Sequence, residues 1–180
     1  MYGIVNKAIE ELVKENYGIE VWERIKKRSN ISVDFFISNE TYDDRITYEL
    51  AGAVADELKT DLSEVLISFG EYWVLKTGRQ KYGALLEAGG STLKEFLCNL
   101  PNFHNRIMLM YTHLTPPEFM VSDVADRSLH VHYYSKREGL QDFVRGLLQG
   151  LGKMYNTPVT IELLQSRDEQ ADHEIFKVNW

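Results

Sequence analysis

Residues 93–111, LKEFLCNLPNFHNRIMLMY, form the longest helical candidate in the chain, and the spacing of apolar residues changes on its carboxyl-terminal side. Ser91 can cap the start of this helix. Pro101 is expected to kink or divide it, since proline lacks the backbone N–H that a helix interior needs. Pro116 and Pro117 are expected to end it.

His104 lies on the apolar face of this segment, because apolar residues stand three, four or seven positions away from it. These are Leu97, Leu100, Ile107, Met108 and Tyr111. An imidazole in such a position is either a core histidine bonded to a backbone carbonyl or a ligand to something buried. Spacing alone favours the core histidine, because histidine is only intermediate in its preference for burial.

Amphipathic helices are predicted on the amino-terminal side of this segment. Apolar residues recur at helical spacing over residues 3–28, with a break near residues 16–18 that divides the pattern into two helices. The same spacing recurs over residues 43–58 and 61–76. The first part of the chain is therefore expected to be largely helical.

Strands are predicted on the carboxyl-terminal side, where the period shortens to two. Residues 119–121 and 129–134 are predicted to be strands, and residues 159–163 and 174–178 to form a closing hairpin across a polar loop. Residues 139–154 return to helical spacing. The predicted fold is a single α+β domain with an antiparallel sheet in its second half.

Length, charge and cysteine content narrow the class of protein. With 180 residues, the chain can bury one substantial core and enclose a ligand cavity. A net charge of −7 disfavours binding to nucleic acid or to an anionic membrane, since both need a concentrated positive field. The lone Cys98 excludes an intramolecular disulfide framework. Because the sequence contains neither a signal-peptide core nor an apolar run of roughly 18 residues, we expect a soluble cytoplasmic protein.

Residues 133–137, YYSKR, include donors that suit a carboxylate ligand. If the strand continues through them, its period of two sends Tyr133, Ser135 and Arg137 to one face. An arginine fork binds a carboxylate bidentately, and hydroxyl groups satisfy its remaining lone pairs. For this pattern alone, the commoner interpretation is an ordinary solvated face of an antiparallel sheet.

Three motifs stand in order along the chain: LPNFHNR at 100–106, the proline pair at 116–117, and Y-x-S-x-R at 133–137. MYG at the start and FGEYW at 69–73 add to them. Together, over the whole chain, this set resembles the haem nitric oxide/oxygen-binding (H-NOX) family, and its bacterial stand-alone members in particular. The family is related to the haem domain of soluble guanylate cyclase.

The resemblance implies a fold and a cofactor. A helical amino-terminal subdomain, about residues 1–60, is joined to a carboxyl-terminal lobe, about residues 61–180, that contains an antiparallel sheet and helices. Haem b is buried between them. By the same resemblance, His104 is the proximal ligand of the haem iron through a neutral imidazole nitrogen.

The resemblance also assigns residues to the edge and the face of the haem. Tyr133, Ser135 and Arg137 match the clamp that holds the two haem propionates. Such a clamp agrees with physical expectation, because buried carboxylates left unpaired would cost several kcal/mol. Pro117 matches the proline that presses on the haem and distorts it from planarity.

The residues expected on the distal side of the haem, opposite His104, predict which gases it binds. Family members that bind oxygen stably carry a distal tyrosine, and the best-matching residue is Phe143, which has no hydroxyl. Val5, Ile9 and Leu147 are apolar, so partial negative charge on bound oxygen would go unsatisfied. Trp73 is expected to act mainly as a steric wall, although its indole N–H is a donor. We therefore expect binding of nitric oxide and carbon monoxide and discrimination against oxygen.

In this family nitric oxide weakens or breaks the iron–histidine bond, which releases the helix that carries His104. The sequence leaves no room for a kinase, cyclase or phosphodiesterase segment, so we expect a sensor rather than an enzyme. By analogy with the family, the partner is a separate effector, such as a histidine kinase or a cyclic-di-GMP enzyme.

Two other functions are compatible with the same residues. A haem enzyme, peroxidase-like or oxygen-activating, would also use His104, but peroxide chemistry needs a distal acid–base group, which the expected distal residues lack. A haem-free module could bind another carboxylate or a phosphate on the Tyr-Ser-Arg face.

Elsewhere, His130 and His132 share a strand face without an evident third metal ligand and are expected to face solvent. Cys98 is expected to be a small buried hydrophobe.

Overall fold

The structure, a computed structural model, describes residues 1–110, 117–167 and 170–180. Four helices open the chain, as the apolar spacing predicts: α1 (Gly3–Tyr17), α2 (Ile19–Arg28), α3 (Asp44–Leu58) and α4 (Leu62–Tyr72). Gly18, with a φ of 88°, separates α1 from α2, and this backbone angle favours glycine. The Asp43 carboxylate caps α3 by accepting a hydrogen bond from the backbone N–H of Arg45.

Beyond α4 the helical region continues in a π-helical segment (Trp73–Gly78), which begins within the helix predicted over residues 61–76, and in α5 (Arg79–Glu87), which apolar spacing did not predict. It ends in α6 (Leu93–Met110). The long helix predicted from residue 93 is confirmed, but Pro101 does not divide it, because Leu97 and Leu100 are buried beside it and hold the helix to the core. Its predicted end at residues 111–116 lies outside the described residues. Within the described part of the chain, no helix is long and apolar enough to cross a bilayer.

An antiparallel sheet and one covering helix complete the α+β fold, whose class is confirmed. The strands are β1 (Glu118–Ser122), β2 (Ser128–Tyr134), β3 (Thr160–Gln165) and β4 (Glu174–Asn179), in the order β1-β2-β4-β3. Helix α7 (Gln141–Met154) packs on the inner face of the sheet through Leu148 and Leu151. Strand β2 ends at Tyr134, where the predicted strand over residues 129–134 also ends, so it does not continue through Ser135 and Arg137.

Two clusters of buried apolar side chains form the core. One belongs to α1–α4 and includes Ile9, Leu50 and Phe69. The other joins the inner face of the sheet to α6 and α7, and includes Phe96 and Phe176. Trp73 and Phe143 pack against the first cluster, whereas Phe103 and Leu147 pack against the second. The subdomain boundary near residue 60 stays a prediction.

Helices α4 and α7 approach each other closely because each presents a glycine to the other's backbone. A Cβ atom on Gly146 would lie 2.1 Å from the Ile67 carbonyl oxygen, and one on Gly70 would lie 2.2 Å from the Phe143 carbonyl oxygen. Backbone atoms cannot give way as the end of a flexible side chain can. This pair of glycines therefore determines how close α7, with Phe143 and Leu147, lies to α4.

We expect Gly146→Ala to lower the free energy of unfolding by about 2 kcal/mol or more, because the added methyl group forces α4 and α7 apart. Urea denaturation measures the change. Gly52→Ala in α3 is the matched control: its Cβ would enter open space, so that variant should be neutral or up to ~1 kcal/mol more stable. Equal stability of Gly146→Ala and the wild type would contradict the close approach.

Candidate functional site

A cavity of about 320 Å³ lies between the two clusters of apolar side chains. Its volume is at the lower end of the range typical of ligand pockets. All of the predicted site residues except Ser135 line it: Val5, Ile9, Trp73, His104, Pro117, Tyr133, Arg137, Phe143 and Leu147. The structure therefore brings together side chains that lie as far apart in the sequence as α1 and α7.

His104 enters the cavity wall from α6. Its Nδ1 lies 3.2 Å from the Leu100 carbonyl oxygen, and since a carbonyl only accepts, Nδ1 must carry the proton and donate it. Burial lowers the pKa of His104 to about 4, although the bond to Leu100 acts the other way, so the ring is neutral at physiological pH. Nε2 is then an unprotonated acceptor, and no group in the described residues hydrogen-bonds to it. A neutral imidazole with a free Nε2 is the form that binds a metal.

Phe119 and Phe103 flank the His104 ring. The centroid of the His104 ring lies 4.6 Å from that of Phe119 and 5.4 Å from that of Phe103. Phe119 is on β1 and pairs with Tyr133 on β2, so the sheet and α6 meet at the imidazole. This packing limits rotation of the ring.

Tyr133 supplies a phenol from the inner face of β2, where its side chain is buried. Burial raises the pKa of Tyr133, which keeps the hydroxyl protonated and able to donate. The neighbouring side chain of Ser135 acts on this pKa in the opposite direction.

Ser135 and Arg137 lie in a turn rather than on a strand face, which corrects the basis on which they were predicted to converge. The Ser135 Oγ accepts a hydrogen bond of 3.0 Å from the backbone N–H of Arg137, the local bond by which serine stabilises a turn. This bond ends the strand after Tyr134 and folds Arg137 back, so that Arg137 lines the cavity and Ser135 does not. Ser135 therefore stabilises the turn that positions Arg137.

Asp44 at the start of α3 binds Arg137, a contact that sequence reasoning missed. Arg137 Nε donates to Asp44 Oδ2 over 2.8 Å, and the amino-terminal ammonium group also contacts this carboxylate. Burial acts to raise the pKa of Asp44, but hydrogen bonds from these two cations bring it below its usual value. The two residues are 93 positions apart, so no local pattern signals the pair.

The far side of the cavity is apolar and aromatic. Val5 and Ile9 come from α1, and Phe143 comes from α7. The Phe143 ring lies 4.9 Å from that of Phe69, whose other neighbour is Trp73 in an edge-on contact of 6.3 Å. Among the five residues predicted for this side, only Trp73 has a side-chain donor.

Several cavity residues were not predicted, and three of them are tyrosines: Tyr2, Tyr48 and Tyr82. Tyr48 donates from its hydroxyl to the Glu138 carbonyl oxygen over 2.8 Å. Tyr82 has non-helical backbone angles, φ −127° and ψ 19°, which kink α5. The signal that could have found Tyr82 is its helical spacing from Leu86, which also lines the cavity.

Two predictions outside the cavity have different outcomes. His130 and His132 lie on the outer face of the sheet and are partly exposed, and His132 hydrogen-bonds to Ser122 and to His173. No cluster of three potential metal ligands occurs in residues 1–110, 117–167 and 170–180. Cys98 is exposed, so the prediction that it is buried is wrong: it lies on the side of α6 away from the core.

The residues present fit a haem group. The cavity walls are largely apolar, the imidazole leaves one nitrogen free, and residues with a phenol and a guanidinium also line the cavity. Iron coordination needs such a nitrogen, and buried propionates need such donors.

Comparisons with known proteins agree with this chemistry. A family model described as haem-NO-binding matches residues 2–163. Soluble guanylate cyclase gcy-31 of Caenorhabditis elegans is 26% identical over 182 residues, which cover 100% of this chain and 26% of that protein. Guanylate cyclase soluble subunit beta-2 of Rattus norvegicus is 31% identical over 123 residues, 65% of this chain and 18% of that protein. The chain thus spans about a quarter or less of the length of these relatives.

Solved structures show the same fold. An H-NOX protein from S. oneidensis has a TM-score of 0.88 at 17% identity and covers 99% of this chain and 95% of its own. The Fe(II) unliganded H-NOX protein from K. algicida has a TM-score of 0.85 at 23% identity, with 99% and 96% covered. The family model spans nearly the whole length, and the chain therefore belongs to the haem-NO-binding (H-NOX) family of haem-binding gas sensors.

Proposed function

We propose that this chain holds haem b through His104 and senses nitric oxide, with carbon monoxide as a second ligand and with discrimination against oxygen. The observation that carries the proposal is the neutral imidazole of His104, whose Nε2 has no hydrogen-bond partner among the described residues, in the wall of an apolar cavity. When bound, haem supplies a ferrous iron that coordinates diatomic gases.

Tyr133, Ser135 and Arg137 are proposed to form the propionate clamp. Tyr133 and Arg137 contribute donors from the cavity wall, and the Ser135 hydroxyl accepts a hydrogen bond from the backbone N–H of Arg137. Asp44 accepts a hydrogen bond from Arg137 Nε, and an arginine guanidinium carries five N–H donors in all. Pro117, also on the wall, is proposed to press on the macrocycle.

Discrimination against oxygen is proposed because four of the five residues predicted for the far side of the cavity have no side-chain donor, and the fifth, Trp73, has only a rigidly placed indole N–H. Phe143, Leu147, Val5 and Ile9 are all apolar, and a dioxygen ligand depends on a donor to satisfy its partial negative charge. Nitric oxide and carbon monoxide depend on it less. Trp73 packs edge-on against Phe69, which supports a mainly steric role.

The signal is proposed to pass to a separate effector, a histidine kinase or a cyclic-di-GMP enzyme, in the cytoplasm. His104 and the exposed end of α6 belong to one helix, so a weakened bond at His104 changes the restraint on that whole helix. Met108 and Leu109 at this end are exposed.

Visible spectra of the ferrous protein in air, under carbon monoxide and under nitric oxide test the proposal. We expect a five-coordinate nitrosyl band, a carbonyl complex and no oxy spectrum in air. A colourless protein that gains no Soret band with hemin would contradict haem binding. Peroxidase turnover well above that of free haem, lost in His104→Ala, would favour the enzyme instead.

Arg137→Ala should release haem about tenfold faster than the wild type, because a propionate loses its charged, bidentate partner. Transfer of haem to excess apomyoglobin, followed in the Soret region, measures the rate. Arg24→Ala is the control, since Arg24 is exposed and pairs with Glu57 outside the cavity. An unaltered dissociation rate would remove Arg137 from the site.

A further inference from the structure

A second arginine hydrogen-bonds to the backbone of the turn that carries Ser135 and Arg137. Arg167, just after β3, donates from Nη1 to the Ser135 carbonyl oxygen and from Nη2 to the Arg137 carbonyl oxygen, the latter over 2.7 Å. From this geometry we infer that Arg167 is a positioning residue for the propionate clamp. The inference rests on the proposed haem site and names the residue that holds its clamp in place.

The Arg167 guanidinium binds the turn through two N–H donors at once, one to each of two carbonyl oxygens. The Ser135 hydroxyl closes the turn from within, through its bond to the backbone N–H of Arg137. Arg167 stabilises the same turn by a second set of bonds, because its two Nη atoms donate to the carbonyl oxygens at the two ends of this three-residue segment. The planar spacing of the guanidinium donors allows both bonds at once, which a lysine ammonium on a flexible stem does not reproduce.

A buried carboxylate orients Arg167 and connects it to the third clamp residue. Glu174 on β4 pairs directly with Tyr133 on β2 and is only 4% exposed. Its Oε1 lies 4.0 Å from Arg167 Nε, while Oε2 has no hydrogen-bond partner among the described residues. Arg167 therefore contacts or faces the strand and the turn that supply all three clamp residues.

The charges give Arg167 a second effect on propionate binding. Without its guanidinium, the Glu174 carboxylate would be a buried, uncompensated negative charge behind Tyr133, where it would repel the two propionates. Arg167 offsets that charge and adds positive potential beside Arg137. Its side chain is only 17% exposed, so this interaction is screened little by solvent.

We expect Arg167→Ala to speed haem dissociation roughly ten- to hundredfold, since two bonds from a charged donor are lost. Arg167→Lys, which keeps the charge but not the fork, should fall between Arg167→Ala and the wild type. In the Arg167→Ala background, Glu174→Gln should recover part of the loss. Haem transfer to apomyoglobin measures the rates, and the resonance Raman propionate-bending bands should shift in Arg167→Ala.

The matched control is Arg127→Ala. Arg127 also donates to a backbone carbonyl, that of Trp180, over 2.6 Å, but outside the turn and the cavity. It should leave the haem rate and the propionate bands unchanged. Thermal unfolding of the apo proteins separates folding from positioning, and Arg167→Lys keeps the test open if Arg167→Ala does not fold.

Dissociation from Arg167→Ala within twofold of the wild type, with unmoved propionate bands, would overturn the role of Arg167. So would an Arg127→Ala variant that loses haem equally fast, because the effect would then be general to the fold. Failure of the wild type to bind hemin would be a different result, since it would reject the haem site itself.

Discussion

His104→Ala should lose haem roughly a hundredfold more readily than the wild type, the largest effect expected of any single substitution in the cavity. Loss of a residue that merely orients a metal ligand typically costs 10–100-fold in metal affinity, and loss of the ligand itself should cost at least as much. His104 is the only histidine on the described cavity wall, so no second imidazole can replace it.

Reconstitution with hemin and the Soret spectrum of the ferrous protein measure this loss. Imidazole added at millimolar concentration should restore a histidine-like spectrum, because it fits the space left by the side chain. His130→Ala is the control, since His130 lies on the outer face of the sheet. Full haem content and an unchanged spectrum in His104→Ala would show that another residue ligates the iron.

Much of the fold follows from local sequence patterns. The helices were predicted because buried side chains such as Ile9, Leu50 and Leu97 recur at the period of a helix. The strands were predicted because the period changes to two at Leu129 and Val131. Such patterns are local consequences of one-sided burial, so a single sequence carries them.

The parts of the site that were missed depend on contacts between distant residues. Asp44 and Arg137 are 93 positions apart, and Arg167 lies 30 and 32 positions after the two residues whose carbonyls it binds, so neither contact leaves a local pattern. The turn at Ser135 was taken for a strand because the alternation of polar residues continues through it, whereas the bond from its hydroxyl ends the strand. The kink at Tyr82 likewise has no local pattern behind it.

His104 shows how the two kinds of information combine. Its spacing placed it correctly on the apolar face of a helix, but left core histidine and metal ligand as alternatives. In the structure it has features of both: Nδ1 donates to a backbone carbonyl, as in a core histidine, and Nε2 is left free. The carbonyl bond fixes the tautomer that a metal requires, so the two descriptions are compatible.

Phe143→Tyr should bind oxygen measurably in air, which the proposed function predicts the wild type does not. The new hydroxyl would donate to the partial negative charge on a dioxygen ligand, and a hydrogen bond to a charged group contributes about 1.5–3 kcal/mol, roughly ten- to hundredfold in affinity. Affinity for carbon monoxide should change much less. Oxygen titration of the ferrous variant, followed in the visible spectrum, measures the gain.

The control, Phe143→Leu, alters the shape of the cavity without adding a donor and should not gain oxygen binding. An unchanged spectrum of Phe143→Tyr in air would mean that Phe143 does not face the ligand. If the wild type itself binds oxygen, Trp73 is the remaining donor among the predicted distal residues, and Trp73→Phe should abolish that binding. The two substitutions together therefore decide whether the absence of a phenol or the presence of an indole sets the gas selectivity.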